Sequence, residues 1–142
     1  MRRILALVAG LGLLGGCVQP PLDAEVGPGS EPVTARAATA MFQNVCVDTA
    51  PDFAAAPGRL TALQFRPHPR TGTFYHDRMN LSFKVFTQDG HRICSIVFAP
   101  RDDLRQTARM LAASGRGLAV AVSPYEHGNA VYMNAKLIFA PR

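Results

Sequence analysis

NLSFKVFTQDGHRICSIVF, residues 80–98, carries two apolar runs on either side of Asp89-Gly90. An Asp-Gly pair between such runs is the strongest short-range signal for a β-hairpin, because both turn positions need positive φ. With these two residues as the turn, Gln88 lies opposite His91, Phe86 opposite Ile93 and Val85 opposite Cys94. Phe83 then meets Ile96 and Leu81 meets Phe98, so the facing pairs are apolar. Lys84 with Ser95 and Ser82 with Val97 make the opposite face mixed. A slip of one residue would move every side chain to the wrong face, so the pattern specifies its own register.

An apolar sheet face needs a cover. Upstream, Ala38, Met41, Phe42, Val45 and Cys46 recur at helical spacing and form one face of an amphipathic helix. Asp48 to Pro51 ends it, and Pro57-Gly58 is read as interrupting a second helix begun at Asp52. Downstream, DDLRQTARMLAAS (102–114) reads as a helix with Leu104, Ala108, Leu111 and Ala112 as its stripe. Asp102 and Asp103 suit its start, and Gly115 suits the C′ position. Leu118, Val120 and Val122 suggest a third strand, and Val131 to Phe139 alternate as a fourth, with SPYEHGN a loop between them. The expected fold is α+β: an antiparallel sheet of about four strands in the order β-β-α-β-β, with one or two N-terminal helices on one face.

The first residues do not belong to that fold. Met1, Arg2 and Arg3 give a cationic start, and Ile4 to Leu14 is an apolar run of eleven residues. A bilayer span needs about 20. A cationic start, a short apolar run and small residues together read as an export signal. Leu14-Gly15-Gly16-Cys17 resembles the lipobox of bacterial lipoproteins, with Gly15 where Ala or Ser is commoner. The resemblance covers residues 1–17 only. It implies cleavage after Gly16 and acylation of Cys17, and Val18 in place of Asp resembles an outer-membrane address. A single acyl chain holds only marginally and two or more anchor stably. The expected organisation is a signal peptide (1–16), a lipidated Cys17 with a Pro/Gly-rich linker (17–33) and one small domain (34–142) facing the periplasm.

Export bears on the cysteines. With Cys17 lipidated, only Cys46 and Cys94 remain, an even count in an oxidising compartment. Cys46 points inward from the helix and Cys94 points to the face that a helix should cover, so the two should form a disulfide. That bridge would close a loop of about 49 residues, contributing on the order of 4 kcal/mol.

Charge divides the chain. The linker carries Asp23, Glu25 and Glu31 and no base, whereas residues 34–142 hold thirteen Lys and Arg against seven Asp and Glu, a net of +6. Beyond the membrane reached through the anchor, such a domain suits an anionic envelope component (lipid, lipopolysaccharide, peptidoglycan carboxylates) or an acidic envelope protein. Nucleic acid is excluded by export. Alternatively, the excess of Arg reflects genome composition alone.

RPHPRTGTFYHDR (66–78) is the most polar unusual stretch and reads as a solvated connection or binding loop. Arg66, Arg70 and Arg78 with Tyr75 and His76 are the candidate binding residues, since Arg forks match carboxylate and phosphate. The alternative is a small hydrolase or metal-dependent enzyme using His68, His76 and Asp77, whose spacing matches no zinc signature. His127 beside Glu126 offers an acid–base pair, but reads as a surface turn. No G-x-S-x-G, H-E-x-x-H or P-loop occurs, Cys46 and Cys94 are not a C-x-x-C pair, and nothing implies a cofactor. A non-enzymatic binding or accessory module is therefore the expected role.

Overall fold

The computed structural model describes residues 27–141. The expected signal peptide, the expected lipidation site Cys17 and the expected linker up to residue 26 lie outside the described residues. In chain order the elements are α1 (Ala35–Phe42), a π-helical turn (Gln43–Val47), α2 (Ala56–Ala62), β1 (Arg66–Pro67), β2 (Phe74–Tyr75), β3 (Leu81–Gln88), β4 (His91–Phe98), α3 (Leu104–Ala113), β5 (Ala121–His127) and β6 (Ala130–Phe139). The class is α+β, as expected. The sheet is antiparallel throughout but has six strands, not four, in the order β1-β2-β3-β4-β6-β5.

The β3–β4 hairpin has the register read from the sequence, from Gln88 opposite His91 to Leu81 opposite Phe98. Asp89 and Gly90 both have positive φ, 51° and 76°, as a type I′ turn requires. Strict alternation corrects one detail: Phe86–Ile93 shares a face with Lys84–Ser95, not with the core pairs. The core face carries Leu81, Phe83 and Val85 on β3 and Cys94, Ile96 and Phe98 on β4. It continues into Leu137, Ala135 and Met133 on β6.

α1 lies over this face, burying Ala38 and Phe42 completely. The following π turn buries Val45, Cys46 and Val47 in succession. A π turn has more residues per turn than an α-helix, so three successive side chains span a narrower arc. The wider turn thus seats Cys46 against the sheet, where it is bonded to Cys94 with Cα atoms 5.6 Å apart. Thr34 caps α1 by accepting from the amide of Ala37, while the Asp102 carboxylate accepts from Ala35 N at 2.6 Å. The approach to α3 therefore also fixes the start of α1.

Packing begins upstream of Thr34. Ser30 and Glu31 donate to Arg78 O, Glu31 O accepts from Asn80 N, and Val33 exchanges backbone hydrogen bonds with the Ala99–Arg101 segment. Val33 is buried. The end of the Pro/Gly-rich stretch is thus stitched to the domain.

Three local readings change. Pro57 does not interrupt a helix; it occupies the first turn of α2, where its missing N–H costs nothing. Gly115 is not left-handed; a Cβ there would lie 2.0 Å from Leu118 O, so its role is close approach. The strand expected at 118–122 is instead β5, which runs through most of SPYEHGN. His127 pairs with Ala130 across Gly128-Asn129, and only Gly128 of those two has positive φ, as a type II′ turn requires. Pro124 is tolerated because β5 is an edge, as is β1 with Pro67.

The staple joins helix to central sheet across a separation of 48 residues. Replacing both cysteines (Cys46→Ala with Cys94→Ala) should lower unfolding free energy by about 4 kcal/mol. Guanidinium titration of the oxidised parent and the double variant measures it. A difference below about 1 kcal/mol would show that packing alone holds α1 to the sheet.

Candidate functional site

Residues 66–78 are not a plain connection. They fold back as β1 and β2, and Arg66 pairs with Tyr75 in register. His68 N donates to Thr73 O at 2.8 Å, Gly72 N donates to His68 O at 2.9 Å, and Gly72 takes φ +67° to close the turn. The side chains of His68 and Thr71 accept from the amides of Arg70 and Thr73, further rigidifying the tip.

A shallow open depression of about 280 Å³ lies on this hairpin, lined by Pro28, Arg66, Pro67, His68, Pro69, Tyr75 and Asp77. Pro28 is supplied by the end of the Pro/Gly-rich stretch. Its neighbour Gly27 lies so close to the Tyr75 ring that a Cβ would sit 2.2 Å from Cδ1. The His68 ring meets Tyr75 edge-on at 6.2 Å.

The cations here are not equivalent. Arg66 is bonded to the Asp77 carboxylate, and that hydrogen bond and charge raise its pKa above the ordinary arginine value. Both groups are well exposed, so the pair orients the guanidinium more than it stabilises the fold. Arg70 and Arg78 are also exposed, but their guanidinium groups have no hydrogen-bond or ion-pair partner among the described residues.

His76 differs from the rest of the candidate set. It is 8 % exposed, its ring packs edge-on against Phe65 at 5.2 Å, and Phe65 in turn meets Phe83. Its Nδ1 accepts from the amides of Arg78 and Met79, at 3.2 and 3.1 Å. A nitrogen accepting two N–H groups carries no proton itself. His76 thus secures the bend into β3 and is not available at the depression.

The alternative sets do not converge. His68 and Asp77 line the depression while His76 faces the core, and among the described residues no three His, Cys, Asp or Glu side chains are grouped to hold a metal ion. Glu126 and His127 are successive residues of β5 and so project to opposite faces. The His127 ring lies near Tyr125 and Tyr132 instead, at 6.3 and 6.5 Å.

One surface has no counterpart in the sequence reading. Leu104 and Ala108, assigned there to the helix's apolar stripe, border an apolar groove between α3 and the β5–β6 hairpin. The fully buried residues of α3 are Thr107 and Leu111. Thr107 is admitted because its hydroxyl donates to Asp103 O at 2.8 Å.

Comparison with protein-family models, curated proteins and solved structures gives no match.

The two roles in the 66–78 segment separate by mutation. His76→Ala should lower unfolding free energy by about 2 kcal/mol, because two backbone amides lose their acceptor and the Phe65 contact is lost. Arg66→Ala should leave the unfolding midpoint unchanged. Chemical denaturation of both variants checks this; a silent His76→Ala would remove the structural assignment.

Proposed function

We propose that this chain is a lipid-anchored protein of the bacterial envelope, held through Cys17 and facing the periplasm from the outer membrane. Its domain acts as a non-enzymatic binding or accessory module for an anionic envelope component. The observation that carries this reading is the imbalance on the β1–β2 hairpin. Asp77 is engaged by Arg66, while Arg70, next to Pro69 in the chain, and Arg78, next to Asp77, stand exposed with no guanidinium partner among the described residues. Guanidinium forks match planar carboxylates and phosphates, and a turn closed by its own hydrogen bonds presents Arg70 on an ordered backbone.

Two further features support it. The domain from Thr34 on has a net charge of +6. The Cys46–Cys94 bridge suits an oxidising compartment outside the cytoplasm.

Co-sedimentation with purified peptidoglycan sacculi, and in parallel with lipopolysaccharide, tests the reading. The parent should bind one of them in a salt-sensitive way, and Arg70→Ala with Arg78→Ala should weaken that binding about tenfold, or roughly 1.4 kcal/mol. His76→Asn, which keeps an acceptor, should bind as the parent does. Equal binding by the arginine variant, or no binding to either material, would overturn the proposal.

A further inference from the structure

At the opposite edge of the sheet from β1, the groove between α3 and the β5–β6 hairpin has a volume of about 200 Å³. Its walls are almost wholly apolar: Leu104 and Ala108 from α3, Val122 and Pro124 from β5, and Met133 from β6. Leu104 is 39 % exposed, and Val131, on the same face as Met133, is 42 % exposed. Together with the recess they form a continuous apolar surface that a partner's side chain could cover.

Charge along the groove is one-sided. Arg105 lines the rim, Arg109 follows one helical turn later, and Arg101 precedes the helix. All three are exposed, and their guanidinium groups have no partner among the described residues. The carboxylates of the helical layer, by contrast, are all engaged. Asp48 binds Arg59 and Arg116, and Asp52 accepts from Ala54 N. Asp102 accepts from Ala35 N, and Asp103 accepts from the amides of Arg105 and Gln106. The exposed Glu126, on β5 beyond Pro124, is the acid at the far end. The groove therefore offers positive charge along α3 and negative charge at the hairpin tip.

We propose that this groove docks an acidic polypeptide segment that inserts a bulky apolar side chain between Leu104, Ala108 and Met133. The carboxylates of the segment face Arg105 and Arg109. A lipid surface is met by protruding apolar groups, whereas here the apolar area is recessed, which calls for a side chain that enters it. Pro124 removes an N–H from the edge strand, so the segment is held by its side chains and not by strand addition. The proposal rests on the binding role above but not on the β1–β2 hairpin, so the two fail separately.

Fluorescence anisotropy with short labelled peptides tests it, using the full chain with its bridge intact. One peptide sets Leu and Phe between Asp and Glu residues; a second has the same charge with Ser in place of Leu and Phe. The first should bind saturably and the second about tenfold more weakly. Arg105→Ala with Arg109→Ala, and separately Ala108→Leu to fill the recess, should each weaken the first peptide about tenfold. Ala108→Leu, which leaves the charge unchanged, should not alter sedimentation with sacculi or lipopolysaccharide. Equal affinity for the two peptides, no affinity for either, or full affinity in the arginine variant would overturn the proposal. So would binding of phosphatidylglycerol vesicles in place of peptide, which would assign the surface to lipid.

Discussion

The bond between Cys46 and Cys94 is the joint on which this domain turns. Cys94 lies on β4, which pairs with β3 on one side and β6 on the other. Cys46 lies in the π turn that extends α1, and both residues are completely buried. The bridge therefore ties the first helix to the sheet at its middle, among Phe42, Phe83, Ile96, Phe98 and Leu137. Each such side chain contributes about 2 kcal/mol by leaving water, but apolar contact does not by itself choose one lateral position for a short helix. The covalent joint and the Asp102 cap on Ala35 fix that position from both ends of the helical segment. Once α1 is placed, α3 packs beside it and over β5 and β6, and the groove follows from that placement.

The sequence was legible where local chemistry and long-range packing ask for the same thing. Asp89-Gly90 admits a tight primed turn, that turn sets the register, and the register places Cys94 opposite a helix whose stripe ends in Cys46. Legibility failed where the determinants are short or non-local. β1 and β2 have two residues each, too few for any periodicity, and they form because β3 offers an edge. β5 was hidden by Pro124, which argues against a strand unless the strand is an edge, and edge status belongs to the whole sheet. Gly128-Asn129 is the local signal that could have revealed the second hairpin.

The candidate site was legible as a composition and not as an arrangement. The cluster of Arg, His and Tyr in 66–78 does mark a distinct surface. Composition, however, gives Arg66, Arg70 and Arg78 equal weight, and only the fold pairs the first with Asp77. Composition also places His76 with the polar residues, although it is buried and bonded to the backbone two and three residues ahead. The groove was illegible in principle, because Leu104 and Ala108 satisfy a helical stripe whether they are buried or left open. The packing of α3 decides this: Thr107 and Leu111 are buried at the core while Leu104 stays exposed.

Two surfaces of different character thus lie at the two edges of one sheet: a polar hairpin whose Arg70 and neighbouring Arg78 have no guanidinium partner among the described residues, and an apolar groove bordered by arginines. The Pro- and Gly-rich, acidic stretch that follows the proposed anchor in the sequence is stitched to the domain from residue 30 onward. Everything functional proposed here depends on the chain being exported, lipidated and oxidised. Intact-mass spectrometry of the protein extracted from its own membrane tests that most directly. The mass should be that of a chain beginning at Cys17, increased by two or three acyl groups and lacking the hydrogens of the Cys46 and Cys94 thiols. A chain beginning at Met1, or cut elsewhere and without lipid, would contradict the envelope anchor; free thiols at Cys46 and Cys94 would contradict the joint on which the fold depends.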